Sequence, residues 1–225
     1  MPDDSDNDHA SALSAPQPVV GYKANEVYDD AFFSQYGKSN PEYRQACLVI
    51  AKTLLDLLKP RKVVDFGCGA GLHLEPFMES KVEVLGIDVA PACISHQPGN
   101  LPFLLADLRL PFSLTSPFTE FDLALCVDVL EHIEEEHAQV ALNTITRGAK
   151  TCILSCAPPG QGGHFHVNEQ PRRYWVDRMK GMGWQYDRKS TGQLERYFLG
   201  HRKQLPWSWM YHNLCIYKRA DTDKV

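Results

Sequence analysis

The chain has 225 residues and a mass of 25.4 kDa, with 44% hydrophobic and 23% charged residues. That balance excludes wholesale disorder and fibrous repeats, and the length fits one generous domain or two cramped ones. The net charge is −5 with an isoelectric point near 6.0, which argues against a dedicated nucleic-acid binder. No long uninterrupted apolar run occurs, so no membrane-spanning helix is expected.

The first thirty residues are acidic and lack an apolar core like that of a signal peptide, so a cytoplasmic protein is expected. Residues 1–20, rich in Asp, Ser, Ala and Pro, read as a disordered acidic tail. The remainder, 21–225, reads as a single domain. Its first part, 21–60, carries Tyr22, Tyr28, Phe32, Phe33 and Tyr36 among acids and is expected to form a helical lid. Asn40-Pro41 marks a helix start, a capping side chain followed by proline at the first helical position. Tyr43, Cys47, Ile50, Leu54 and Leu58 continue it at helical spacing to Lys59-Pro60.

From 61 to 156 short apolar runs alternate with helical patterns. The runs are 63–66, 82–87, 103–106, 121–127 and 151–156, and the helix candidates are 72–80, 91–97, 133–147 and 171–182. Strands buried on both faces and separated by helices imply a parallel sheet with right-handed crossovers. After 157 the pattern changes: a strand over 184–188, a polar helix or loop over 192–203, and a final strand over 210–217. The expected class is therefore α/β, a seven-stranded mostly parallel sheet with an antiparallel last strand and helices on both faces. The seven cysteines form no C-x-x-C and sit mostly in apolar runs, so they read as reduced and buried.

The sharpest local signal is Asp65-Phe66-Gly67-Cys68-Gly69-Ala70-Gly71, between a strand and a helix. Its glycines allow a tight turn and close approach to a ligand. The spacing departs from the dinucleotide pattern G-x-G-x-x-G, because Leu72 stands where the third glycine belongs, and G-K-[ST] is absent. An acid in the turn disfavours phosphate and favours a cation. Asp88 ends the next strand 21 residues after Gly67, where a carboxylate can accept both ribose hydroxyls. Asp107 ends the third strand and is placed to accept from an exocyclic amine. Taken singly, Asp65 and Asp88 also read as helix caps, and Asp107 as the partner of Arg109 in a surface ion pair.

With Gly86-Ile87-Asp88, Ala106-Asp107-Leu108, Phe121-Asp122-Leu123 and Asp128-Val129-Leu130-Glu131-His132-Ile133 in order after the glycine turn, the chain resembles the class I S-adenosylmethionine-dependent methyltransferases, with a Rossmann-like fold. The resemblance implies that Gly67 and Gly69 pass under the methionine part of the cofactor. It places Asp88 on the ribose, Asp107 and Leu108 on the adenine, and Asp65 at the amino end, with Cys68, Val89 and Val127 as further neighbours. It implies S-adenosyl-L-methionine as cofactor and methyl transfer as the activity.

Methyl transfer to a hydroxyl needs alignment and a base. Asp128 and His132 beyond the fourth strand, and His164 and His166 in the Gly-rich loop 157–170, are the candidate catalytic residues. Glu131 and His132 also read as a cap for the following helix. A metal site of His164, His166 and Glu169 or Asp128 is a minor alternative, and no metal is assigned. Tyr28, Tyr36, Asn168, Arg172 and Arg173 are candidate acceptor contacts. Residues 1–30 carry seven acids against one base, and 172–203 nine bases against three acids, so a small anionic metabolite or sugar-type acceptor, most often O-methylated, is the expected partner. The alternatives are an N-methyltransferase of protein or tRNA, or a silent cofactor-binding protein. Trp207 and Trp209 interleave with bases as nucleic-acid surfaces do, but Tyr174, Trp175, Met179 and Met182 fall at core spacing. No stable nucleic-acid or membrane binding is expected, and the chain reads as a monomer or homodimer.

Overall fold

A computed structural model describes residues 24–220; the expected acidic tail, 1–20, lies outside the described residues. Two short helices, α1 (Ala24–Val27) and α2 (Asp30–Gln35), precede the long α3 (Pro41–Leu58). The start of α3 follows from its first residues. The Asn40 side chain accepts a hydrogen bond from the Tyr43 amide at 3.1 Å, and Pro41 occupies the first turn, where no amide donor is needed. Lys59 closes the helix in the left-handed conformation, φ 47°, its N–H donating to the Leu55 carbonyl.

The strands are β1 (Lys62–Phe66), β2 (Glu83–Asp88), β3 (Phe103–Leu105), β4 (Phe121–Val127), β5 (Ala149–Ser155), β6 (Trp184–Tyr186) and β7 (Cys215–Arg219). The intervening helices are α4 (Glu75–Glu79), α5 (Glu135–Thr146), α6 (Arg172–Gly181), α7 (Arg188–Gly200) and α8 (Trp209–His212). The sheet order is β3-β2-β1-β4-β5-β7-β6. The first five strands run parallel, and β7 enters antiparallel between β5 and β6. The expected α/β class, with its antiparallel last strand, is the observed one.

Alternation along the central strands sends side chains into two cores. Val64, Phe66, Ala124, Cys126, Cys152 and Leu154 join Leu142, Ile145, Trp175 and Met179 under α5 and α6. Val63, Leu123, Leu125 and Ile153 join Ile50, Leu54, Leu194 and Phe198 under α3 and α7. Both faces are therefore covered, as a parallel sheet requires. All seven cysteines are free and buried, and their burial raises the thiol pKa values, for example Cys215 to about 11.

Two segments differ from the sequence expectation. The helical stretch 91–97 is a 3-10 helix, Pro91–His96, and the final strand begins only at Cys215, because 209–212 forms α8. Met210 and Tyr211 are apolar and buried from a helical turn rather than a strand, and an apolar run this short does not distinguish the two. The Asn40 cap makes a definite prediction. Asn40→Ala should lower stability by about 1 kcal/mol in urea unfolding with an unchanged m-value, and Asn40→Asp should recover most of that loss.

Candidate active site

The strand order reverses between β1 and β4, so the connections leaving their carboxyl ends diverge and open a crevice, where open α/β sheets bind ligands. A cavity of about 420 Å³ lies there. Its floor is the turn after β1, where Gly67, Gly69 and Gly71 have φ of 78°, 48° and 70°, a region costly for residues with a Cβ. A Cβ on Gly67 would also stand 2.3 Å from Val129 Cγ2. The amides of Gly67 and Cys68 donate to the Ile87 carbonyl at 2.7 and 3.0 Å, fastening the turn to β2.

Asp88 fastens it again. Its Oδ2 accepts from the Gly69 amide at 2.8 Å and its Oδ1 from the Ala90 amide at 2.9 Å, so one carboxylate joins the turns that follow β1 and β2. Burial raises its pKa. Asp107 accepts from both the amide and the Nε of Arg109 at 2.9 Å. The ion pair anticipated from sequence thus forms, but it is buried rather than superficial. Asp65 is buried beneath the glycine turn and does not line the cavity. Its Oδ2 has no hydrogen-bond partner, and burial, with a smaller contribution from Asp88, pushes its pKa up to about 7.

On the opposite side, Asp128 follows β4 with φ 54°. Its Oδ1 accepts from the Ser155 hydroxyl at 2.6 Å, and burial pushes its pKa up to about 7. Glu131 is fully buried. Its Oε1 accepts from the Ala157 amide at 3.0 Å and its carbonyl from the amides of Val167 and Asn168, while Oε2 has no hydrogen-bond partner. Burial, reinforced by Asp128, pushes its pKa up to about 8. Glu131 is thus not the helix cap its position suggested, since α5 starts after Glu134; it carries the loop after β5 instead. That role escapes sequence inspection because it depends on contacts 26 to 37 residues away.

The Gly-rich loop 157–170 is pinned by its own carboxylate. Glu169 accepts from the Gly160 and Gly162 amides, both at 2.7 Å, and contacts His166 Nδ1 at 2.8 Å. His132 Nδ1 lies 3.3 Å from the Phe165 carbonyl, and its ring meets that of His166 edge-on at 4.9 Å. Burial, with His166 nearby, pushes the His132 pKa down to about 4. His164 turns away from this cluster, its Nε2 lying 2.9 Å from the Val27 carbonyl.

The N-terminal helices roof the cavity. Tyr28, Phe32, Tyr36 and Tyr43 form a chain of ring contacts, with centroids 5.1, 4.8 and 5.4 Å apart. The roof is tied down by His96 on Asp30 at 3.1 Å and by Lys38 Nζ donating to the Gln97 carbonyl at 2.7 Å.

Of the residues singled out from sequence, Gly67, Cys68, Gly69, Asp88, Val89, Asp107, Leu108, Val127, Asp128, His132, His164, His166, Tyr28 and Tyr36 line the cavity. Asn168, Arg172 and Arg173 do not. Asn168 is buried, its amide nitrogen 3.5 Å from the Leu130 carbonyl. Arg172 pairs with Glu195 at 3.2 Å, and Arg173 with Asp177 one helical turn on, also at 3.2 Å. Sequence proximity to the loop suggested a contact that the direction of α6 does not make. Glu131, Arg109, Phe32, Phe33, Tyr43 and Trp209 line the cavity without having been assigned to it. For the aromatics the signal was present in their clustering.

A family model described as a methyltransferase domain matches residues 39–209. The chain therefore belongs to the methyltransferase family, here the S-adenosylmethionine-dependent class I type. It is 30% identical over 92 residues to a ubiquinone biosynthesis O-methyltransferase of Rhodopseudomonas palustris (strain BisB18), a match covering 39% of this chain and about a third, 35%, of that relative. Among solved structures, a sugar N-methyltransferase from Streptoalloteichus sp ATCC 53650 matches with TM-score 0.61 and 12% identity, over 92% of this chain and 98% of that one. The magnesium protoporphyrin IX methyltransferase of Synechocystis PCC 6803 with bound S-adenosylhomocysteine matches with TM-score 0.61 and 17% identity, over 87% and 98%. At such identities the solved structures establish the shared fold.

The raised pKa of Asp65 has a stability consequence. An unfolded Asp loses its proton near pH 4, whereas the folded one keeps it to about 7. Its contribution is therefore present below pH 4 and lost as pH rises through 7. Urea unfolding at pH 5 and pH 8 should show Asp65→Asn gaining stability relative to the parent at pH 8, and the gain shrinking at pH 5. An equal difference at both values would mean that Asp65 titrates normally.

Proposed function

We propose, from membership of the methyltransferase family, that this chain transfers a methyl group from S-adenosylmethionine to the hydroxyl of a small acceptor with a flat, apolar face. The observation that carries this reading is one cavity bordered by two different walls. One is the set of carboxylates and glycines after β1, β2 and β3; the other is the Glu131, His132 and His166 cluster beneath a roof of aromatic rings. The donor set fits the cofactor, whose sulfonium and ammonium are cations facing a carboxylate-rich crevice. Asp88 would hold the ribose, Asp107 and Leu108 the adenine side, and Gly67 and Gly69 the methionine part. Asp65, one layer below, would bias the amino end electrostatically.

When bound, the cofactor supplies an activated methyl group, so this chain's own work is to align the acceptor and prepare its oxygen. The aromatic roof offers flat faces for stacking. His132 and His166 each have Nδ1 against an oxygen that only accepts, the Phe165 carbonyl and the Glu169 carboxylate. A neutral ring that donates from Nδ1 to such an oxygen keeps a lone pair on Nε2. Those lone pairs are the groups that would assist loss of the hydroxyl proton, a contribution worth about 10²–10⁴-fold. A charged acceptor finds less support. Arg109 is the only Lys or Arg lining the cavity among the described residues, and it is bonded to Asp107. The O-methyltransferase name of the R. palustris relative favours oxygen over nitrogen as the acceptor atom.

Two measurements test this reading. Asp88→Ala should weaken S-adenosylhomocysteine binding at least tenfold by titration calorimetry; unchanged affinity would remove Asp88 from the cofactor set. His166→Ala should keep that affinity within about threefold while losing about a hundredfold or more of turnover. Turnover is read by mass spectrometry of cell extract supplied with methyl-labelled cofactor, as one methyl gained on oxygen. Full activity of the variant would exclude the histidine from the chemistry.

A further inference from the structure

Glu131, His132 and His166 each present one ligand-type atom such that the three lie within 4.8 Å of one another. They come from two segments: the turn after β4 and the loop after β5. Three features go beyond proximity. First, Glu131 is fully buried and its Oε2 lacks a hydrogen-bond partner. A buried carboxylate oxygen without a donor is costly, and a cation would satisfy it. Second, both imidazoles already have Nδ1 committed to an acceptor, the Phe165 carbonyl at 3.3 Å and the Glu169 carboxylate at 2.8 Å. This outer contact is the one that orients a histidine for ligation through its other nitrogen and raises its basicity. Third, the remaining oxygen of Glu131 is fixed by the Ala157 amide at 3.0 Å, so all three side chains are held from behind.

We propose that Glu131, His132 and His166 form a binding site for one divalent transition-metal cation of the zinc type, open on its cavity side to an oxygen of the acceptor. The inference deepens the proposed O-methyl transfer and rests on that reading for what fills the open positions, but not for the cation itself. Two imidazoles and one carboxylate suit zinc, cobalt or manganese and disfavour magnesium and calcium, which prefer all-oxygen sets. At bond lengths of about 2.1 Å no two ligand atoms can stand more than about 4.2 Å apart, so any pair standing wider than that draws in on loading. The set differs from the one suggested by sequence spacing. His164 is engaged by Val27, Asp128 by Ser155, and Glu169 supports His166 from outside. With both Nε2 lone pairs on the cation neither histidine could take the proton, so in the loaded protein the cation replaces them in that task. An acceptor hydroxyl entering an open position would lose its proton to water more readily, and its oxygen would then attack the cofactor methyl as the carbon–sulfur bond breaks.

Gly163 offers a variant that removes none of the three ligating side chains. A Cβ there would stand 2.3 Å from His166 Nε2, so Gly163→Ala must displace the ring.

The test is direct cation binding by the full chain, stripped with chelator and titrated with Zn²⁺ and with Co²⁺. One Zn²⁺ per chain should bind with micromolar or better affinity. Glu131→Gln, His132→Ala, His166→Ala and Gly163→Ala should each weaken it at least tenfold, while circular dichroism and S-adenosylhomocysteine affinity show the fold intact. The Co²⁺ spectrum should lack thiolate charge-transfer bands, since no cysteine belongs to the set. Zn²⁺ bound equally by the variants, thiolate bands, or a parent protein that binds the homocysteine compound but no Zn²⁺ would overturn the site and leave methyl transfer standing. Zn²⁺ binding that follows the variants, with no cofactor binding by the parent, would instead overturn the proposed activity and keep the site.

Discussion

The reversal of winding between β1 and β4 is the constraint on which the site depends. A parallel sheet buried on both faces leaves its backbone fully paired, so only the strand ends offer free polar groups. At most strand ends the connection folds straight back and covers them. Between β1 and β4 the connections leave in opposite directions, and the carboxyl ends stay open over a cavity of about 420 Å³. What lines that opening then follows from which residue ends each strand.

Two carboxylates turn the opening into a built site. Asp88 accepts the amides of Gly69 and Ala90 and so holds the turns after β1 and β2 in one arrangement. Glu131 does the equivalent on the other side, taking Ala157 on its side chain and Val167 and Asn168 on its carbonyl. Each works because it is buried: in a low-dielectric setting these hydrogen bonds gain strength, and an unmet lone pair becomes costly. The same burial that makes them good clamps raises their pKa values.

The fold was legible from the sequence to within a few residues, since alternating apolar runs and helical spacing report burial directly. The start of α3, and strands β1, β2 and β4, follow from such patterns, as does the glycine turn. The miss at Met210–Leu214 has the same root: a short apolar run reports burial but not whether a helix or a strand achieves it. On the cofactor side the motifs sit on consecutive strand ends, so sequence order maps onto space. The acceptor side was harder to see. Arg172 and Arg173 directly follow the loop in sequence, yet α6 points them at Glu195 and Asp177. Glu131 stood in plain view but looked like a cap, because its partners lie in another segment.

The charge asymmetry acquires a different meaning in three dimensions. The basic stretch 172–203 suggested an anionic acceptor, but its first two arginines, at the loop side, are spent on carboxylates outside the cavity. Facing the opening are Asp88, Asp107, Asp128 and Glu131, with Asp65 just behind, against, among the described residues, a single arginine held by Asp107. Burial raises the pKa values of Asp65, Asp88, Asp128 and Glu131, and a neighbouring carboxylate adds to the rise at Asp65 and Glu131. A sheet that gathers carboxylates at its one open edge is best neutralised by cations. A cofactor carrying a sulfonium and an ammonium answers that need on one side, and a divalent metal would answer it on the other.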